Sequence, residues 1–365
     1  MRLITNCLIV LMPCLCYGQV LSNTPLFPYQ NDSITLTYDA SLGNGELVGI
    51  SPVFAHTGLT FGGSSSWQNV QGNWGAADSS VLMQTLGNNL HSISFHIPSY
   101  YGISGTSSPG PNALAFVFRN TSGTLVGRNS DQSDIYIPIY SSSSPLEVRW
   151  ATNKNVIEAL PNSSLTLNAG SSIVADFKVF VDGNLVFTDS NTRAVTPTII
   201  IPNTLGIHSL VVQANQGVQS VSDSLILAIN NVVGVNQNVI IIPAYPTNQD
   251  TINIVYDSLS GNRGTQGYTP LYLHTGVLTQ SSGTNWQNVQ GNWGTDDNNV
   301  RLNHLGGGIW HKRLHVNSFY SLASIASSAT HLAMVVRDSS GNYVGKTSSG
   351  GDILHPLAYL SLIHI

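Results

Sequence analysis

Apolar and polar residues alternate along most of this chain in short runs. Such alternation is found at residues 34–38, 94–97 and 135–139, and Leu114, Phe116 and Phe118 form a further apolar face. A period of two places successive side chains on opposite faces of a strand, which is typical of half-buried antiparallel strands. Clusters of Gly, Asn and Ser separate the runs, and no long amphipathic helix pattern occurs. The pattern therefore predicts an all-β protein.

An internal repeat divides the chain. The nonapeptide WQNVQGNWG at residues 67–75 recurs unchanged at residues 286–294. The match extends on both sides, from ITLTYD at residues 34–39 against INIVYD at residues 252–257 to DI at residues 134–135 against 352–353. We predict two copies of one β-sandwich module, at residues 19–141 and 232–359.

Residues 142–231 lack every motif of the repeat. They contain several short apolar runs, and Asp182-Gly183 is a hairpin-turn signal between two of them. Short strands at Greek-key spacing are typical of an immunoglobulin-like sandwich. The predicted fold class is therefore all-β, with three consecutive β-sandwich domains. The first and third are copies of one module, and the middle one is immunoglobulin-like.

Both ends of the chain carry segments outside this scheme. We predict a secretory signal peptide at residues 1–18, from the positive charge of Arg2, the apolar residues 3–15 and the small residues near Gly18. We therefore expect a secreted, extracellular protein, with association with the cell surface as an alternative. Cys14 and Cys16 keep a lipoprotein anchor as an alternative. Residues 360–365 have no counterpart in the first copy, and we expect them to be a non-native tail of a truncated reading frame, with a genuine apolar tail as the alternative.

Composition narrows the possible partners. Charged residues make up 8% of the chain, against roughly a quarter in most proteins, and the net charge is -5 with no basic run. We therefore expect no nucleic-acid partner. Beyond residues 1–18 no apolar run approaches the length of about 20 residues that crosses a membrane. We expect a monomer without a membrane span, and all three cysteines fall within the predicted signal peptide.

Catalytic motifs are missing from the sequence. Glu46, Glu147 and Glu158 are the only glutamates, and the shared aspartates occupy predicted turns, whereas a glycosidase needs two carboxyl groups roughly 5–10 Å apart. No nucleophile elbow, phosphate loop or zinc-binding helix is present. We predict no catalytic residues, no cofactor and no metal site. Asp78 and Asp297 would suit a calcium loop, but no run of carboxylates accompanies them.

The duplicated tryptophans are the leading site candidates. Trp67 and Trp74, with Trp286 and Trp293 in the second copy, provide flat amphipathic rings that can stack on a sugar face. The amides of residues 68, 69, 71 and 73 can exchange hydrogen bonds with hydroxyl groups. The alternative interpretation is that these indoles fill the sandwich interior.

Two further pairs of residues match between the copies. His56 and His274 are predicted hydroxyl partners beside the tryptophans, with a histidine bonded to backbone at a turn as the alternative. Arg119 and Arg337 are expected to face outwards or to pair with Asp134 and Asp352.

The repeat resembles a known accessory module. The matching motifs are PVFAHTG at residues 52–58, WQNV to WG at residues 67–75, YYG at residues 100–102 and LAFVFR at residues 114–119. Together they resemble the N-terminal accessory module of secreted bacterial alpha-amylase-family glycoside hydrolases and, more loosely, starch-binding sandwich modules. The resemblance implies a following immunoglobulin-like domain, a downstream catalytic barrel and an α-glucan ligand. This chain departs from the pattern in carrying a second copy and no barrel.

The expected function is therefore non-catalytic binding of polysaccharide, with α-glucan or starch as the expected ligand, in an accessory region of a secreted amylase-like enzyme. The alternative is a structural spacer or cell-surface adhesion array that binds no sugar.

Overall fold

The computed structural model describes residues 20–104, 110–152, 154–234, 238–322 and 329–358. Almost all the regular structure in these ranges is β-strand, in three consecutive sandwich domains, which confirms the predicted fold class. The predicted signal peptide and the C-terminal tail lie outside the described residues.

The first sandwich contains two antiparallel sheets. Its strands are β1 (Leu21–Thr24), β2 (Ser33–Asp39), β3 (Phe54–Phe61), β4 (Gln68–Gln71), β5 (Gln84–Gly87), β6 (Leu90–His96), β7 (Pro111–Arg119), β8 (Val126–Gly127) and β9 (Ile135–Pro138). One sheet has the order β1-β2-β6-β5, and the other has the order β4-β3-β7-β8 with β9 also paired to β7. A 3-10 turn spans Ser79–Val81, and a short helix, α1, spans Ile97–Tyr101.

The middle domain has a different topology. Its strands are β10 (Val148–Trp150), β11 (Val156–Ala159), β12 (Ser164–Thr166), β13 (Ala169–Val181), β14 (Asn184–Val195), β15 (Thr198–Ile200), β16 (Gly206–Gln216) and β17 (Gln219–Ile229). The main sheet has the order β10-β13-β16-β17-β11, with β14 also on β13, and β12 pairs with β15. Asp182 and Gly183 both have positive φ, 51° and 78°, as the predicted hairpin turn requires.

The third sandwich repeats the first strand for strand. It contains β18 (Val239–Ile242), β19 (Thr251–Asp257), β20 (Tyr272–Thr279), β21 (Gln287–Gln290), β22 (Asn303–Gly306), β23 (Ile309–His315), helix α2 (Val316–Tyr320), β24 (Ala329–Arg337), β25 (Val344–Gly345) and β26 (Ile353–Pro356). Its sheets have the orders β18-β19-β23-β22 and β21-β20-β24-β25, with β26 on β24.

The predicted alternation places the core in each copy. Ile34, Leu36 and Tyr38 on β2 are at most 1% exposed, whereas the intervening threonines point away from the core. The alternation predicted through residue 97 stops at His96, because Ile97 begins helix α1 with a proline in its first turn. The two short helices were therefore not predicted.

Strand β7 is buried along both faces. Leu114, Phe116 and Phe118 point into the core, and Ala115 and Val117 on the opposite face are also nearly inaccessible to solvent. A segment that follows β3 covers that opposite face, and it is the segment that contains the repeated nonapeptide. The sheet of β4, β3 and β7 thus has a second, smaller packed layer on its outer side.

Side-chain contacts join the middle domain to both copies. The Tyr29 hydroxyl donates to the Ser172 carbonyl at 2.9 Å, and the Arg193 guanidinium lies 3.5 Å from the centre of the Tyr29 ring. At the other junction the Asn155 amide donates to the Gly307 carbonyl at 2.7 Å. Within the described ranges, no helix is long and apolar enough to span a membrane.

Candidate functional site

The two tryptophans of each nonapeptide flank one short edge strand. Trp67 immediately precedes β4 and Trp74 follows it within three residues, while His56 lies on the neighbouring strand β3. Gly72 lies between the two tryptophans in the sequence and has a φ of 92°. Its backbone passes so close to β3 that a Cβ there would lie 2.9 Å from the Ala55 carbonyl oxygen. Only glycine fits this crossing, which turns the chain back over the sheet.

The turn brings both indoles against one imidazole. The centroid of the His56 ring lies 5.9 Å from that of Trp67 at an interplanar angle of 30°, and 5.1 Å from that of Trp74 at 88°. In the second copy His274 lies 5.7 Å from Trp286 at 31° and 5.0 Å from Trp293 at 88°. The same three-ring cluster, with its two indoles set around a histidine, is thus built twice.

The indoles lie on the outer surface of the sheet. Trp74 and Trp293 are 49% and 51% exposed, while Trp67 and Trp286 are half-buried. Beneath Trp67 stands Gly58, where a Cβ would come within 3.2 Å of the tryptophan Cβ. None of the four indoles belongs to a sandwich core, so the alternative that they fill the interior is wrong for this geometry.

A glycine in the turn between β7 and β8, and its counterpart between β24 and β25, supports the more exposed indole of each copy. A Cβ at Gly123 would lie 2.6 Å from Nε1 of Trp74, and a Cβ at Gly341 would lie at the same distance from Nε1 of Trp293. The hairpin backbone therefore packs directly on one part of each indole, and the remainder faces solvent.

Arg119 and Arg337 hold the tryptophan segment from below, and the predicted outward position or pairing with Asp134 and Asp352 is wrong. Both arginines are 0% exposed. Arg119 donates through Nη2 to the carbonyls of Asn73, at 2.7 Å, and Ala76, at 2.9 Å. The sequence could not anticipate this, because the carbonyls belong to a segment that reaches the outer face of β7 only in the folded chain.

In the second copy the contacts are similar. Arg337 donates to the carbonyls of Asn292, at 2.5 Å, and Asp338, at 2.8 Å. Its guanidinium also lies 5.1 Å from the centre of the Tyr272 ring, within the range of a cation–π interaction.

Asp78 and Asp297 brace the same segment. One carboxylate oxygen of Asp78 accepts from the backbone N–H of Asn73 at 3.1 Å, and the other accepts from the Ser80 hydroxyl at 2.6 Å. The bond from the Ser80 hydroxyl, followed by the bond from the Asn73 backbone, lowers the pKa of Asp78. Among the described residues, no three His, Cys, Asp or Glu side chains are grouped so as to hold a metal ion.

An ion pair that was not predicted from the sequence lies beside the cluster of the second copy. In the second copy Lys346 and Asp352 are 3.2 Å apart and line an open cleft of about 250 Å³ together with His274, Trp286 and Trp293. The corresponding pair in the first copy is Arg128 with Asp134. The sequence did contain a signal for this ion pair, because a basic residue follows the Val-Gly pair in both copies.

The amides of the nonapeptide are only partly available for a ligand. Asn69, with a φ of 52°, donates through its amide to the Tyr101 carbonyl at 3.0 Å and so ties β4 to helix α1. Asn288 makes the equivalent contact with Tyr320 at 2.8 Å. Gln68 remains exposed beside Trp67.

The histidines also bond to backbone, as the alternative interpretation held. Nδ1 of His56 lies 2.8 Å from the Gly72 carbonyl oxygen, and Nδ1 of His274 lies 2.7 Å from that of Gly291. Burial lowers the pKa of His56 against the opposing effect of that bond, and the Arg119 charge lowers it further. A carbonyl only accepts, so a neutral His56 carries its proton on Nδ1 and presents Nε2 as an acceptor.

Each cluster combines flat apolar rings with a fixed imidazole, and in the second copy these groups line an open cleft together with the Lys346–Asp352 ion pair. No protein-family model matches the chain, and no curated protein matches it. Solved structures with some similarity include the fibronectin(III)-like modules of Clostridium thermocellum CbhA, at 20% identity and a TM-score of 0.20, covering 23% of this chain and 95% of that one.

Two longer arrays are also similar. A stretch of titin domains matches at 10% identity and a TM-score of 0.22, covering 89% of this chain and 93% of that one. The central fibronectin-III array of RIM-binding protein matches at 10% identity and a TM-score of 0.19, covering 88% and 92%. Similarity at this level identifies neither a family nor a function.

Proposed function

We propose that the chain is a non-catalytic polysaccharide-binding region that works outside the cell, with an α-glucan as the expected ligand. Each copy contributes one binding site, at the ring cluster of Trp67, Trp74 and His56 in the first and at the cleft of Trp286, Trp293 and His274 in the second. The observation that carries the proposal is the half-exposure of Trp74 and Trp293, at 49% and 51%, in two clusters of nearly equal geometry.

The chemistry of the cleft supports a sugar ligand. A pyranose presents C–H groups on one face and hydroxyls at its edge, so it needs an apolar platform beside polar groups. Trp293 supplies the platform, and Lys346 and Asp352 supply a donor and an acceptor in the same cleft. Nε2 of a neutral His56 adds an acceptor in the first copy.

Two sites on one chain favour a polymer as ligand. Once one cleft is occupied, the second binds from a raised effective concentration if the polymer reaches both. We expect avidity from this arrangement and weak binding by either cleft alone. A monomer has both sites, so the proposal needs no oligomer.

The test is affinity electrophoresis of the full chain in native gels that contain soluble starch, or other polysaccharides in separate gels. Retardation by starch should be lost in the double variant Trp74→Ala plus Trp293→Ala. Tyr245→Ala is the matched control, because Tyr245 is 48% exposed but lies outside the clefts. Unretarded migration of the wild-type chain with every polysaccharide would exclude the proposal.

That negative outcome would favour the second candidate, a structural spacer or adhesion array without sugar binding. The specific contacts between the middle domain and both copies, such as Tyr29 with Ser172 and Asn155 with Gly307, favour it because they hold neighbouring domains together. Membership of a secreted amylase-like enzyme rests on the sequence resemblance alone. Its test is whether the gene continues into a barrel with an acid/base carboxylate pair.

A further inference from the structure

The first copy carries a tyrosine in the cross-strand row of residues beneath Trp67. Tyr136 on β9 pairs with Ala115 on β7, and Ala115 pairs with Gly58 on β3. Directly paired residues point to the same face of a sheet. A Cβ at Gly58 would lie 3.2 Å from the Trp67 Cβ, so this row is on the outer face that carries the indole. Tyr136 therefore shares a face of the sheet with Trp67.

The small residues of this row let the indole reach the tyrosine. Neighbouring strands are about 4.8 Å apart, so Tyr136 lies about 10 Å from Gly58 with Ala115 between them. Neither glycine nor alanine has a side chain long enough to stand in this gap. The Trp67 indole bridges it, because its Nε1 donates a hydrogen bond to the Tyr136 hydroxyl at 3.4 Å. The tyrosine is thus in direct contact with one indole of the first ring cluster.

This contact leaves the tyrosine accessible to a ligand. Tyr136 is 43% exposed. A phenol hydroxyl both accepts and donates, so the oxygen that accepts from Trp67 can still donate its own proton to a ligand. A tyrosine ring also offers an apolar face beside that polar tip. Tyr136 therefore adds an aromatic ring and a hydroxyl donor at the Nε1 edge of the Trp67 indole.

The second copy builds the same row without a hydroxyl. Leu354 pairs with Ala333, and Ala333 pairs with Gly276. A Cβ at Gly276 would again lie 3.2 Å from the tryptophan Cβ, here that of Trp286. Leu354 is 45% exposed, which is nearly the exposure of Tyr136. The strand register and the position of the indole are thus matched between the copies, and the side chain at the end of the row differs.

We propose that Tyr136 is a ligand-contacting residue of the first site, where it donates a hydrogen bond to a saccharide hydroxyl at the Nε1 edge of Trp67. This inference rests on the proposed function. The side chain of Leu354 cannot donate a hydrogen bond, so the second site lacks this contact. Exchanging the two residues between the copies therefore changes the affinities of the two sites in opposite directions.

The test is isothermal titration of maltoheptaose into the full chain with one site disabled. In the chain carrying Trp293→Ala, Tyr136→Phe removes only the hydroxyl and should weaken binding about two- to ten-fold, the range for one neutral hydrogen bond. In the chain carrying Trp74→Ala, Leu354→Tyr should strengthen binding by a similar factor. Tyr245→Phe is the matched control, because Tyr245 lies outside both sites, and it should change neither affinity.

A second measurement separates ligand contact from a positioning role. A direct contact should give nuclear Overhauser effects between the Tyr136 ring and maltoheptaose. Weaker binding by Tyr136→Phe without these effects would mean that the hydroxyl only holds Trp67, and it would overturn the inference.

Other outcomes distinguish this inference from the proposed function. The inference alone fails if neither exchange changes the affinity although Trp74→Ala abolishes binding in the chain carrying Trp293→Ala. The proposed function fails as well if the wild-type chain does not bind maltoheptaose.

Discussion

Substituting Gly123 by alanine tests whether the hairpin beside Trp74 fixes the position of that indole. The added Cβ would lie 2.6 Å from Trp74 Nε1 and 3.0 Å from Cε2. Non-bonded heavy atoms pack best at roughly 3.5–4.0 Å, so the indole must move by about 1 Å or the hairpin must tilt. Gly123 also has a φ of 71°, a conformation that costs an L-residue about 1–2 kcal/mol.

A control in the same sandwich separates these two costs. Gly49 has a φ of 73°, and a Cβ there would meet nothing within 4 Å. Gly49→Ala should therefore carry the backbone cost alone, whereas Gly123→Ala should add about 1–3 kcal/mol for overpacking. The free energies of unfolding are compared by urea denaturation of the full chain. The transition to follow is the unfolding of the first sandwich, which contains both substituted glycines. The indole N–H resonance of Trp74 reports its displacement.

Equal destabilisation by the two alanines, together with an unmoved Trp74 resonance, would refute the reasoning. Gly341→Ala beside Trp293 repeats the test in the second copy, where the same 2.6 Å approach is found. If the clefts bind glucan, displacement of the indole should weaken binding more than Gly49→Ala does.

Three further predictions concern stability. Arg337→Met should cost about 3 kcal/mol in urea denaturation and speed hydrogen exchange at residues 291–297, because carbonyls that accepted from a buried guanidinium lose their donor. Burial lowers the pKa of His56 from 6.5, so its neutral form contributes stability that is fully present above pH 6.5 and is lost as the pH falls through the lowered pKa. His56→Gln should therefore flatten the dependence of the free energy of unfolding on pH in that range. An unchanged slope in the variant would contradict this cause. Thr265→Val should lower the free energy of unfolding by about 1 kcal/mol, because the buried Tyr256 hydroxyl loses its 2.6 Å partner. An unchanged melting temperature of the full chain would show that this bond adds no stability.

Local sequence patterns were sufficient to predict the duplicated sandwich, the core-facing residues of its strands and one hairpin turn. The exact repeat at residues 67–75 and 286–294 determined that two sandwiches would share one topology. Alternation at residues 34–38 determined which side chains of β2 enter the core, since strand geometry alone sends successive residues to opposite faces. The pair Asp182-Gly183 predicted its hairpin because few other residues accept two successive positive φ angles.

The tertiary structure decided everything that depends on segments distant along the chain. Arg119 was expected at the surface and is buried, because the tryptophan segment folds over β7 and offers it carbonyl oxygens. The stacking of Tyr268 on Tyr343 and the pairing of Lys346 with Asp352 beside the cleft arise from the packing of loops. Periodicity reports the face on which a side chain lies but not the partner it meets there. The sequence by itself therefore determined the strands and the duplication, and the packing of loops on the outer sheet determined the candidate site.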